Sequence, residues 1–173
     1  GGQLVVIDPR RTETAKIADR HLFIRPATDG LLLVALLKAV LTHPERPALP
    51  DYIDNLDAVA EAIKGFDSGA CAAQCGVALP DIEWLADRMV TGPAALYGRI
   101  GAATQSFGTL NAWLIGLINI ASGQLDREGG LLFPTPLVDT VAMAGTGSVG
   151  RRHSRVSKHP LVMGEYPAAA LAE

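Results

Sequence analysis

Two short apolar runs separated by a helical pattern constrain this chain most. Gln3-Leu4-Val5-Val6-Ile7 is a continuous β-rich run that stops at Asp8-Pro9, and His21 to Arg25 is a second one. A strand apolar on both faces belongs in a covered parallel sheet, and proline cannot continue a central strand. Between them Thr12-Glu13-Thr14-Ala15-Lys16-Ile17-Ala18 reads as a short helix with Ala15 and Ala18 on one face. Strand, helix and strand in so short a stretch predict a right-handed parallel β-α-β unit.

The chain from there to Ser122 reads mostly as helix. Thr28 as N-cap and Asp29 in the first turn open a helix through Leu31-Leu32-Leu33-Val34-Ala35-Leu36-Leu37, apolar nearly all round and therefore expected inside an assembly. The proline-rich connector His43 to Pro50 stops it. Asp51 to Gly65 carries Ile53, Leu56, Ala60 and Ile63 at helical spacing, Ser68 to Gly76 makes two turns, and Pro80 and Gly92-Pro93 bracket an amphipathic helix. Ala94 to Arg99 reads as a third strand and Phe107 to Ser122 as a helix. Periodicity is lost from Gly123 onward, so residues 126–173 are expected to be mostly irregular.

Composition removes several function classes. With 15 Lys+Arg against 18 Asp+Glu and a net charge of -3, the chain does not suit a nucleic-acid partner. At 49% apolar residues and a mean hydropathy of +0.23 it can bury a core. Ile100 to Leu125 holds no charged residue and is long enough to span a bilayer, but Gln105, Ser106, Asn111, Asn119, Ser122 and Gln124 would be unsatisfied in hydrocarbon. A buried helix and no membrane span are expected. Two cysteines cannot build a disulfide framework, which points to a reducing, cytoplasmic compartment with a periplasmic parent as the alternative. No leader of the secretory type precedes the first strand, and a chain that opens on Gly1 and enters a strand at once is expected to be a piece of a longer polypeptide.

Candidate sites follow from the parallel unit, since open parallel sheets bind ligands at the carboxyl ends of their strands. Asp8-Pro9-Arg10-Arg11-Thr12 ends the first strand with a carboxylate for ribose hydroxyls or a guanine edge and two arginines for a phosphate. Arg25-Pro26-Ala27-Thr28-Asp29 ends the second, so Asp8 and Asp29 can face one ligand. A turn with exposed arginines and a plain helix start explain the same residues. Gly145-Thr146-Gly147-Ser148-Val149-Gly150 matches the dinucleotide fingerprint, but the basic run Arg151 to His159 after it has no apolar helical face to continue the motif. Cys71 and Cys75 are expected to be small buried thiols, and His21, His43, His153 and His159 have no metal-ligand spacing. No catalytic set is evident.

Taken together, Val5-Val6-Ile7-Asp8-Pro9-Arg10-Arg11-Thr12-Glu13-Thr14-Ala15, Ala18-Asp19 and Arg25-Pro26-Ala27-Thr28-Asp29 resemble the molybdopterin oxidoreductase family of formate dehydrogenases, nitrate reductases and dimethyl sulfoxide reductases. Tyr97-Gly98-Arg99-Ile100-Gly101, Thr104-Gln105-Ser106-Phe107-Gly108-Thr109 and Gly123-Gln124-Leu125-Asp126-Arg127-Glu128-Gly129-Gly130 are similar to the family's later blocks, in order. The likeness runs from Leu4 to Phe133 and is faint beyond.

The resemblance implies the central α/β region of a large catalytic subunit that holds molybdenum between two molybdopterin guanine dinucleotides. By that likeness Asp8, Pro9, Arg10, Arg11 and Thr12, with Ala27, Thr28 and Asp29, grip the guanosine end of one cofactor, and Ile100, Gly101 and Thr104 pass near its pterin. The family's corner carries Gly where this chain has Ala27. An iron-sulfur cluster is implied in the parent but outside this chain, as are the molybdenum ligand and a further cofactor domain, so the piece alone is expected to be inactive. The expectation is a three-layer αβα, Rossmann-like arrangement with a mostly parallel sheet, residues 1–133 forming the domain and 134–173 an irregular extension. The function expected of the parent is two-electron redox of a small substrate such as formate or nitrate, with electron-transfer subunits as possible partners. The alternative is a non-catalytic guanine-nucleotide-binding or protein-interaction α/β module.

Overall fold

The structure, a computed structural model, describes residues 2–132, 135–138, 150, 152–162, 166 and 168–170. The chain divides into two compact units, Gly1–Leu132 and Phe133–Glu173. The glycine fingerprint at 145–150 lies outside the described residues except for Gly150.

The first unit opens as the sequence requires. Strands β1 (Val5–Ile7) and β2 (Arg20–Leu22) pair in parallel, Val5 opposite Arg20 and Ile7 opposite Leu22, with helix α1 (Glu13–Ile17) between them. The predicted second strand, residues 21–25, is thus shorter and begins one residue earlier. Pairing ends after the Asp8 N–H because the next donor due in a parallel ladder, the Arg10 N–H, turns back to Asp8 Oδ1. Thr12 caps α1, its Oγ1 accepting the Ala15 N–H at 3.2 Å.

Six further helices follow: α2 (Asp29–Leu41), α3 (Leu56–Ile63), α4 (Ser68–Cys75), α5 (Leu79–Thr91), α6 (Ile100–Ala103) and α7 (Gly108–Ala121). Helix α2 is the hub, packed against α4, α5 and α7, with Leu32 through Leu37 and Val40 all buried. Its surroundings explain a pattern apolar on every side. Lys38, its one charge beyond the first turn, donates Nζ to the carbonyls of Lys64 and Phe66 at 3.1 and 2.6 Å, closing the end of α3. Arg20 on β2 pairs with Asp81 of α5 and lies 4.3 Å from the Trp84 ring centroid, which fastens the sheet to α5.

Two expectations are corrected. Helix α3 begins at Leu56, not Asp51, because Asn55 at φ 64 interrupts any earlier turn. Residues 94–99 form no strand. Their hydrogen bonds go instead to α7: the buried Asn119 accepts the Leu96 N–H through Oδ1 and donates Nδ2 to the Leu96 carbonyl, both at 2.9 Å. A side-chain amide that satisfies both backbone groups of one residue replaces the neighbouring strand. Gln124 does the same at the next bend, donating to the carbonyls of Met89 and Gly92 at 2.7 Å and accepting the Ala94 N–H.

The polar residues of the uncharged stretch are therefore anchors. No helix among the described residues is long and apolar enough to cross a membrane. Helix α7 is buried on one side only, with Trp113 51% exposed on the other. In the second unit, Ser154 and His159 close a turn between an isolated antiparallel bridge, His153 with Pro160, and Ala168–Ala170 form one 3-10 turn.

Candidate functional site

The Asp8 corner is a tight, self-supported turn. The Asp8 N–H adds one bond beyond the strand ladder, to the Leu22 carbonyl at 3.2 Å, and Asp8 Oδ1 accepts the Arg10 N–H at 2.7 Å. Asp8 Oδ2 has no partner among the described residues. On the adjacent strand, His21 Nε2 donates to the Asp8 carbonyl at 3.0 Å. Pro9, Arg10 and Arg11 are exposed, and neither guanidinium makes an ion pair among the described residues. Thr12 is committed to capping α1.

The second corner differs in kind. The Arg25 side chain donates to the carbonyls of Ala73 and Gln74, and its N–H to that of Cys75, so this arginine closes the C-terminus of α4. Ala27 stands at φ 64, the left-handed region that favours glycine. Thr28 holds the N-cap position of α2 but makes no cap, its hydroxyl donating back to the Arg25 carbonyl at 2.6 Å. Asp29 Oδ2 accepts from Gln105 Nε2 at 2.6 Å, and the same Nε2 donates to the Gly101 carbonyl at 2.8 Å.

That bifurcated contact joins two of the three sequence blocks, the Ala27–Asp29 corner and the loop holding Ile100, Gly101 and Thr104. Ile100 is 75% exposed, and the Thr104 hydroxyl donates to the Ile100 carbonyl at 2.9 Å. Gly101 faces open space, whereas a Cβ on Gly108 would run into the carbonyl of Ala103. The tight approach of α6 to α7 therefore rests on Gly108. Among the described residues no hydrogen bond links the Asp8 corner directly to Asp29, and β2 with the following six residues connects them.

Two further polar groups border the start of α2. Asn111, 1% exposed, donates Nδ2 to the Ala102 carbonyl at 2.9 Å, while its Oδ1 has no partner among the described residues and lies 3.1 Å from where a Cβ of Gly30 would sit. Gln105 and Asn111 were not singled out as site residues by sequence, although both sit in an uncharged stretch where a polar side chain calls for a partner. Cys71 and Cys75 are free and buried on α4. Desolvation, with Cys75 beside it, pushes the Cys71 thiol up, which keeps it protonated and unreactive. No group of three or more potential metal ligands occurs among the described residues.

Comparison with known proteins places this arrangement. No family profile matches the chain. It is 32% identical over 129 residues to a nitrate reductase of Klebsiella oxytoca and 34% identical over 132 residues to an assimilatory nitrate reductase of Haloferax mediterranei. It is also 30% identical over 79 residues to the F420-dependent formate dehydrogenase subunit alpha of Methanocaldococcus jannaschii. The chain belongs to the molybdopterin oxidoreductase family. The matches to the two nitrate reductases cover 73% and 72% of this chain but only 14% and 17% of those enzymes, so the chain corresponds to one segment of a molybdopterin oxidoreductase. Its fold is similar to part of the acetylene hydratase from Pelobacter acetylenicus, at a TM-score of 0.64 and 19% identity over 70% of this chain and 17% of that one.

Proposed function

We propose that the chain is the cofactor-gripping segment of a molybdenum-dependent oxidoreductase carrying bis-molybdopterin guanine dinucleotide, whose parent performs two-electron redox of a small substrate such as nitrate or formate. The observation that carries this reading is the Gln105 bridge, which ties the Asp29 corner to the Gly101 loop at the start of α2. The donor set fits the nucleoside and phosphate end of such a group. Among the described residues Asp8 Oδ2 has no partner and can accept from a base or ribose, Arg10 and Arg11 make no ion pair and can meet a phosphate, and the buried Asn111 Oδ1 is an acceptor left unsatisfied.

In this reading Asp8, Pro9, Arg10, Arg11 and Thr12 form one jaw and Ala27, Thr28 and Asp29 the other, with Ile100, Gly101 and Thr104 bordering the pterin. Thr12 and Thr28 act by shaping their turns, since their hydroxyls are engaged within the fold. When bound, molybdenum with its pterin ligands supplies the redox chemistry, and this chain binds and orients. Strands β1 and β2 are two members of a three-layer αβα, Rossmann-like parallel sheet completed by the rest of the polypeptide. The half-buried state of all three β1 residues supports this. Residues 1–133 constitute the domain segment and 134–173 its extension. An iron-sulfur cluster, electron-transfer subunits and a cytoplasmic setting belong to the parent.

The test is metal and nucleotide analysis of the full-length protein containing this segment. Molybdenum and acid-released guanine nucleotide are expected together, and Asp8→Ala should lower both. Guanine nucleotide without molybdenum or tungsten would overturn the redox reading in favour of a nucleotide-binding module, and the absence of both would overturn the binding reading as well.

A further inference from the structure

The geometry points to Phe23 as the stacking surface for the purine ring at the Asp8 corner, held in place by His21, an inference that rests on the reading of this rim as a guanine-nucleotide site. The strand register places the two residues together. Val6 lies opposite His21 and Ile7 opposite Leu22, and the Asp8 N–H continues the ladder to the Leu22 carbonyl. Asp8 and Phe23 are therefore the next cross-strand neighbours, at the carboxyl edge of the sheet. Adjacent strands lie about 4.8 Å apart, and paired residues project to the same face.

That face is the one away from the helical core. Leu22 and Ile24 are buried, so Phe23 between them points outward, and it is 59% exposed. It is nonetheless ordered by its neighbours. The His21 ring, two residues back on the same face, lies 4.2 Å from it between centroids at an interplanar angle of 54°. His21 is in turn fixed by its hydrogen bond to the Asp8 carbonyl. An exposed aromatic ring thus stands beside a carboxylate whose second oxygen has no partner among the described residues. Guanine presents two adjacent N–H donors on one edge and a π-face above, so a carboxylate and an aromatic ring together recognise it as neither does alone.

The experiment is calorimetric titration of the full-length protein containing this segment, freed of bound nucleotide, with GDP and with CDP, beside the Phe23→Ala, Phe23→Leu and Phe23→Trp variants. GDP should bind more tightly than CDP. Phe23→Ala and Phe23→Leu should weaken GDP binding about 10-fold, the loss expected of one base–aromatic stack, and Phe23→Trp should retain it. Leucine keeps apolar bulk without a planar face, so it separates stacking from simple burial, and melting temperatures should stay unchanged at this exposed position. GDP binding that Asp8→Ala weakens while Phe23→Leu leaves it intact would overturn the stacking role and leave the rim reading standing. Equal affinity for GDP and CDP would also overturn stacking, and no GDP binding by the unaltered full-length protein would overturn both.

Discussion

The surroundings of α2 and the rim of the β1–β2 sheet are held by different forces. Around α2, seven residues from Leu32 to Leu37 and Val40 are buried against α4, α5 and α7, so stability there is a collective matter of apolar area and close packing. At the rim almost every link is one hydrogen bond: Arg10 N–H to Asp8, His21 to the Asp8 carbonyl, Gln105 to Asp29. A packed helix has no atoms to spare for a ligand. A rim of single hydrogen bonds leaves a carboxylate oxygen and two guanidinium groups without partners among the described residues, and it depends on the core for its position.

The largest effect should come from the core. Leu37 is fully buried, and Leu37→Ala should destabilise the fold by about 2–5 kcal/mol, lost methyl contacts and cavity together. A thermal melt checks it, and a small drop would mean that α2 is not the hub described here. Next comes Gln124, a buried polar residue serving the core. Gln124→Ala leaves the carbonyls of Met89 and Gly92 unpaired and should cost about 1–3 kcal/mol, read by the same melt, with faster proteolysis at residues 92–97. If Gln124→Met recovers the loss, volume and not hydrogen bonding holds that bend.

What is legible in the sequence follows the same division. The parallel pair, the all-round apolar α2 and the Pro80 and Gly92-Pro93 limits of α5 are local or periodic signals, and they were readable. Residues 94–99 carry the residue pattern of a strand without pairing as one. What decides pairing is whether a neighbouring backbone or a side chain such as Asn119 takes the hydrogen bonds. The Gln105–Asp29 contact spans 76 positions, and no spacing rule reaches that far. Thr12 and Thr28 both stand at helix starts, yet only Thr12 caps, and the Thr28 hydroxyl turns back to the Arg25 carbonyl beside the left-handed Ala27.

A double-mutant cycle at the rim sharpens the contrast. Gln105→Ala and Asp29→Ala should each cost about 1 kcal/mol, and the pair together little more than either alone, giving a coupling near the single values. Full additivity would show that the Asp29 corner and the Gly101 loop are seated independently on the core, and the bridge would lose its organising role.

The smallest effect expected is a gain. At φ 64 an alanine bears roughly 1–2 kcal/mol of steric cost between its Cβ and the following carbonyl, which glycine does not. Against this, glycine adds freedom to the unfolded chain worth roughly 0.4–1 kcal/mol. Ala27→Gly should therefore raise stability by about 0.5 kcal/mol, a shift of a degree or so that a careful melt resolves. Because Ala27 is exposed, no packing term enters to blur the sign. A lowered melting temperature would mean that the methyl group stiffens the corner by more than it strains it, and the rim would then share some of the core's reliance on packing.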